Sequence, residues 1–142
     1  MQSSEKPLRI VTDATFVESE HIAGIAAILL DETEAPRFAI GKQVSASNIV
    51  EGELKAILYA IEDIPSDGVE VFLQSDNQNA VLLLNGEAGT SFNEMKIVGK
   101  IHNRIEQKHL TITFKWTPRE NNHVADAVAT ISARNASVWA RP

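Results

Sequence analysis

Four acidic residues, Asp13, Glu53, Asp76 and Asp126, stand at the ends of segments that otherwise read as buried. A carboxylate among apolar neighbours is costly to desolvate unless a cation holds it. Four of them from distant parts of one chain point to a shared pocket for divalent metal. Mg²⁺ and Mn²⁺ are hard cations that prefer carboxylate and water oxygens. The chemistry that needs such a set is phosphodiester hydrolysis with two ions, which activate the attacking water and stabilise the leaving oxygen. Four carboxylates can hold such a pair by bridging and still leave positions for water and a phosphate.

Taken singly, each acid is better explained by structure than by catalysis. Asp13 could be a strand-end carboxylate facing water, although a central strand offers little water. Asp76 suits the N-cap of a following helix. It also follows an apolar strand, and ligands gather where parallel strands of an α/β sheet end. Glu53 is expected in the first turn of a helix, where an acid complements the dipole. Asp126 falls near another helix start, behind the possible caps Asn121 and Asn122. The functional argument rests on the four together.

The elements that must position these acids follow from patterning. Leu8 to Phe16 (LRIVTDATF) is rich in β-formers with apolar residues on both faces, which predicts a central strand. Residues 22–31 fit strand or helix by periodicity alone; Gly24 and the Asp31-Glu32 turn favour a strand. Residues 37–45 alternate as a third strand, so the first three strands form an antiparallel meander. From Val50 to Ile64, Leu54, Ile57, Leu58 and Ile61 recur at helical spacing until Pro65. A strand is expected over 69–75, a short helix over 77–85, a longer helix over 92–108, a strand over 110–116 and a last helix over 121–134. The expected order is βββαβααβα: an α/β fold with a five-stranded mixed sheet and helices on both faces.

At 142 residues the chain has the length of one domain, with no repeats and no interdomain linker. The absence of cysteine excludes disulfides, a thiolate zinc site and a Cys nucleophile, and fits a cytoplasmic location. Residues 1–7 carry no apolar run behind basic residues and read as a flexible tail, not a signal peptide. Residues 136–142 read as a second tail, in which Trp139 is the one residue suited to dock. No stretch reaches the length of a bilayer span, so no membrane partner is expected, and no obligatory protein partner is evident. The formal charge of −6 argues against coating nucleic acid through bulk positive charge. Bound divalent cations would offset part of that acidity, which keeps a nucleic-acid substrate compatible with it.

With these elements in place, the residues resemble ribonuclease H of type 1. That family carries Asp on the first strand, Glu on the first helix in an A-E-L-like setting, Asp after the fourth strand and Asp on the last helix. Here the corresponding segments read IVTDAT, EGELKAI, LQSDNQ and NNHVADAVA. The most specific piece, KWTPRENNHVADAVA, is similar to the W-x-P-R-E-x-N-x-x-A-D-x-L-A signature of plant and archaeal-like members. The resemblance covers Leu8 to Arg134 and implies the ribonuclease H-like fold. It also implies endonucleolytic cleavage of the RNA strand of an RNA–DNA hybrid, leaving 3′-hydroxyl and 5′-phosphate ends, with two Mg²⁺ or Mn²⁺ ions. By the same resemblance, Asp13 and Asp76 would bridge the ions. Glu53 would bind one and orient water near the RNA 2′-hydroxyl, and Asp126 would complete the shell of the other. Gln78 matches a residue that reads the minor groove, where 2′-hydroxyls distinguish RNA from DNA. Ala14, Thr15 and Arg119 complete the expected substrate contacts, with a surface ion pair to Glu120 as the plainer role for Arg119.

The chain departs from the family pattern in places. Ala14 stands where members usually have Gly, which reduces the clearance for a substrate backbone. The Asn pair often found before the helix glutamate is reduced to Asn48, followed by Ile49-Val50. His123 is too close to Asp126 to match the loop histidine of bacterial members. Residues 77–95 hold no Lys or Arg where some members carry a basic protrusion. Lys96, Lys100, Arg104 and Lys108 follow at four-residue spacing, either as a ridge for DNA-strand phosphates or, the favoured reading, as a solvated face beside Ile97, Ile101 and Ile105. Trp116 is expected in core or strand-edge packing. Two other functions compete: a binding module with the same fold and no turnover, and a 3′–5′ exonuclease. The exonuclease needs an Asp-x-Glu pair on the first strand, which Asp13-Ala14-Thr15 lacks.

Overall fold

A computed structural model describes residues 7–31, 33–64, 67–87 and 91–134. Its elements are β1 (Leu8–Val17), β2 (Ile22–Leu30), β3 (Pro36–Ser45), α1 (Ile49–Glu62), β4 (Glu70–Ser75), α2 (Gln78–Leu84), α3 (Phe92–Gln107), β5 (Thr111–Trp116) and α4 (His123–Arg134). The order matches the sequence expectation. Residues 22–30, ambiguous by periodicity, are a strand. Two 3₁₀ turns, Glu18–Glu20 and Arg119–Asn121, were not anticipated, and the second delays the last helix from residue 121 to His123. The expected tails and the docking of Trp139 lie outside the described residues, Pro7 apart.

The five strands form one sheet in the order β3-β2-β1-β4-β5. β1, β2 and β3 pair antiparallel as a meander, and β4 and β5 join parallel to β1 through helical crossovers. Alternation along β1 explains its apolar residues on both faces. Ile10 packs with Val71 and Leu73 under Leu54, Ile57 and Ile61 of α1, Leu83 of α2 and Ile101 of α3. Val11 points the other way, with Ala26 and Ile28, against Ala125 and Ala129 of α4. Helices therefore cover both faces, three on one side and α4 on the other.

Lys96, Lys100 and Arg104 are exposed and Lys108 is half-buried, the solvated face expected of this row, and two of the four also tie α3 to α1. Lys108 Nζ donates to the carbonyls of Ile61, Glu62 and Ile64 at 2.9, 2.9 and 2.8 Å, gathering oxygens at and just beyond the end of α1. Arg104 Nε pairs with Glu62 Oε2 at 3.1 Å. Lys96 lies over the Phe92 ring, 5.8 Å from its centroid. Ile97 and Ile101 are buried beside them. The ridge ties α3 to α1 and does not form a continuous row of unpaired charge.

Gly24 seats the last helix. A Cβ there would collide with Ala129 O and Ala133 N, and would lie 2.7 Å from Ala133 Cα. The main chain of α4 thus rests directly on β2, and Gln43 Nε2 of β3 donates to Ala133 O at 3.1 Å. No rotamer can relieve a clash with backbone. Gly24→Ala is expected to destabilise the domain by about 3 kcal/mol, lowering Tm by roughly 10 °C in a thermal melt; an unchanged Tm would show that α4 is not seated as described.

Candidate active site

The ladder between β1 and β4 ends at the pair Thr12–Ser75. Asp13 and Asp76 are the next residues on these two parallel strands, so their carboxylates leave the sheet side by side at its carboxyl end. Asp13 is 3% exposed and Asp76 half-buried. The cap expected of Asp76 is made instead by its neighbour: Asn77 Oδ1 accepts from Ala80 N at 2.9 Å at the start of α2. This leaves the Asp76 carboxylate to face the pocket.

Glu53 arrives from α1. That helix begins at Ile49 because Asn48 Oδ1 accepts from Glu51 N at 2.8 Å while Glu51 Oε1 accepts from Ser47 N at 3.1 Å, a reciprocal cap. Glu51 therefore occupies the first turn, where the sequence reading had put Glu53, and Glu53 sits deeper, 3% exposed. Gly52 lets α1 come this close: a Cβ there would lie 3.0 Å from Ala23 Cβ and 3.4 Å from Ala14 Cβ. One carboxylate oxygen each of Asp13, Glu53 and Asp76 lie within 4.8 Å of one another.

Asp126 stands outside that group of three but beside it. Its carboxyl lies near enough to Asp13 to raise the pKa of that residue, and Arg119 Nη2 approaches its Oδ1 at 3.9 Å. The partner of Arg119 is thus Asp126 and not the adjacent Glu120. Asn122, which sequence patterning offered only as a possible cap, is buried, and its Nδ2 donates to Thr12 O at 3.1 Å. Asp126 N donates to Asn122 O at 3.0 Å, so one residue links the strand before Asp13 to the helix bearing Asp126. The only sequence signal for this tie was the Asn of the C-terminal motif.

A reverse transcriptase-like family model matches residues 11–132, from within β1 to the last turn of α4. The chain belongs to this family. Its fold is ribonuclease H-like. Solved structures agree on the fold. An RNase H1 from the halophilic archaeon Halobacterium salinarum superposes with a TM-score of 0.78 at 17% identity, covering 91% of this chain and 98% of that one. The N-terminal RNase H domain of a Mycobacterium tuberculosis protein gives 0.75 at 18% identity, covering 91% and 96%. LC11-RNase H1, solved in complex with an RNA/DNA hybrid, gives 0.82 at 20% identity, covering 89% and 96%. No curated protein matches the chain.

The chemistry of the ribonuclease H-like domain starts from the strain among its acids. Burial raises the pKa of Asp13 to about 7, helped by the negative charge of Asp76 and by the nearby Asp126 carboxyl; the Ala14 N–H, 2.9 Å from Oδ1, and Glu53 oppose the rise. Burial also pushes Glu53 well above the usual range, followed by the charges of Asp13 and Asp76. Asp13 Oδ2 and Glu53 Oε1 are buried with no hydrogen-bond partner. Buried oxygens of this kind are rare in folded proteins unless something else binds them. An all-oxygen donor set with orphaned, mutually repelling carboxylates fits a hard divalent cation.

The expected substrate contacts are placed unevenly around the acids. Gln78 is exposed at the start of α2, and Arg119 is 81% exposed beside Asp126. The Ala14 methyl is buried with Ala23, Ile25, Ala46 and Ala56, so the extra carbon fills core on the α1 side and does not face the pocket. Thr15 Oγ1 bonds Thr130 Oγ1 at 3.2 Å, which ties β1 to α4. Trp116, expected to pack away, is 45% exposed.

Both shifts are upward, so the folded chain binds these protons more tightly than the unfolded one. Stability is then fully present below the ordinary carboxylate range and declines as pH rises through about 7, where Asp13 ionises. At pH 8 without metal, Asp13→Asn is expected to melt a few degrees above wild type, at roughly 2–4 °C per kcal/mol. Millimolar Mn²⁺ should raise the Tm of the wild type and not of the variant. Equal melting temperatures for the two proteins under both conditions would contradict the strained-acid account.

Proposed function

We propose that this domain is a metal-dependent endonuclease that hydrolyses the RNA strand of RNA–DNA hybrids, giving 3′-hydroxyl and 5′-phosphate ends. The observation that carries the reading is the group of three carboxylates within 4.8 Å, two of them with orphaned buried oxygens, at the carboxyl end of the sheet. Fold similarity to LC11-RNase H1, which was solved with an RNA/DNA hybrid, supports the choice of substrate.

In this reading Asp13, Glu53, Asp76 and Asp126 hold two ions, Mg²⁺ or Mn²⁺. When bound, such ions supply an activated water at neutral pH and stabilise charge on the leaving oxygen. Asp13 and Asp76 lie side by side where the ladder ends, the place from which a bridging role is available. Glu53, on the α1 side, holds the attacking water near the RNA 2′-hydroxyl. Asp126 closes the opposite side, where Arg119 is placed to exchange its weak contact with Asp126 for a substrate phosphate. Gln78 reads the minor groove, where the 2′-hydroxyl marks RNA.

Contact with the DNA strand is expected to be weak and salt-sensitive, because Arg104 and Lys108 are committed to α1. Among the described residues, no helix is long and apolar enough to cross a membrane. The chain has no cysteine, and a cytoplasmic location belongs to the same proposal.

The test is a closed circular hybrid, which offers no ends. With Mg²⁺ or Mn²⁺ the wild type should nick its RNA strand, and Asp76→Asn should lower the rate by roughly 10³-fold or more. Binding of the circle without cleavage under either metal would identify a silent hybrid-binding module, and cleavage of linear substrate alone would identify an exonuclease.

A further inference from the structure

We infer that Trp116 is a positioning residue for Asp76, acting through the main chain; the inference rests on the metal-binding reading above. Trp116 is the last residue of β5 and lies opposite Ser75 in the ladder. Its indole Nε1–H donates to the Asp76 carbonyl at 3.2 Å. The next residue continues the grip, with Thr117 N donating to Ser75 O at 2.9 Å. These two bonds hold consecutive carbonyls at the end of β4.

The second of those carbonyls is the one that matters for the site. Asp76 lies one residue beyond the paired strands, so its peptide oxygen has no ladder partner on either side. A shift of the main chain at this otherwise unpaired carbonyl would displace the Asp76 Cα, and with it the carboxylate, relative to Asp13 and Glu53. Repulsion among the three acids favours such a displacement outward. On the far side, Asn77 is already committed to capping α2. The indole N–H therefore anchors the Asp76 main chain from the strand side, as the Asn77 cap anchors its neighbour from the helix side.

Burial does not account for a tryptophan at this position. The residue is 45% exposed, although it stands at the end of a strand whose Phe114 is buried. What Trp116 contributes that a smaller strand residue would not is a donor long enough to reach the Asp76 carbonyl. Geometry set in this way around a ligand is felt in metal affinity, because partners that orient ligating groups tune the ions they bind.

Two replacements isolate the donor. Trp116→Phe keeps an aromatic ring and removes the N–H. Benzothienylalanine at 116, in a Trp139→Phe background, keeps the bicyclic shape and puts sulfur in place of the N–H. Mn²⁺ binding to the full chain is measured by calorimetry, with metal-free Tm measured alongside. Both replacements should raise the Mn²⁺ Kd by between about threefold and tenfold, with the metal-free Tm of the benzothienyl protein within about 2 °C of its parent. Parental Mn²⁺ affinity in the benzothienyl protein would overturn the inference, even if Trp116→Phe is impaired, because the ring and not the donor would then be at work. A wild type that binds no Mn²⁺ would overturn the metal reading itself, and this inference with it.

Discussion

Three carboxylates drawn together where two parallel strands end repel one another, and the surrounding structure has to hold them there. Their ligating oxygens lie within 4.8 Å of each other, and two of the three residues are almost completely removed from water. At such separations the repulsion between like charges is weakly screened, because little solvent penetrates and mobile ions cannot approach. The chain answers in two ways. It keeps protons on Asp13 and Glu53 to unusually high pH, and it leaves two carboxylate oxygens without donors. Both are expected of a site whose charge balance is completed from outside.

The fold supplies rigid supports from three directions. β1 and β4 end in register, which fixes Asp13 against Asp76. α1 reaches the site because Asn48 starts it at the right residue and Gly52 lets it lie close on Ala23 and Ala14. α4 approaches from the other face, seated on Gly24 and anchored through Asn122 to Thr12 O. Beyond the strand register, the supports are single polar contacts or missing methyls, and neither kind adds much to the core. The core itself, built on Ile10, Leu54, Ile57, Leu73 and Ile101, makes these approaches reproducible.

Much of this was legible in the sequence. The alternation of LRIVTDATF announced a strand covered on both faces, and the spacing of Leu54, Ile57, Leu58 and Ile61 announced the helix that covers one of them. The four acids stood out because each interrupts an apolar pattern. Hydrophobic periodicity reports what faces the core, and it therefore finds elements more readily than it finds tertiary hydrogen bonds. Asn122 looked like a helix cap because local sequence cannot show a strand 110 residues away whose carbonyl needs a donor. Gly24 entered only as a residue unsuited to a helix, whereas its role is set by the backbone of α4. Lys108 and Arg104 do lie on a solvated row, but their partners at the end of α1 are also remote in sequence and did not show in the spacing. Ala14 shows the converse: a substitution that suggested lost clearance over the substrate turns its methyl into the core.

The central claim is that these acids are arranged to bind divalent cations. The most direct measurement is anomalous diffraction from crystals of the full chain soaked in Mn²⁺. The account predicts an anomalous peak bonded to oxygens of Asp13, Glu53 and Asp76, with a second ion on the Asp126 side once substrate is present. Well-ordered Mn²⁺ elsewhere with none among these carboxylates, or a pocket that stays empty at saturating Mn²⁺ and neutral pH, would contradict it.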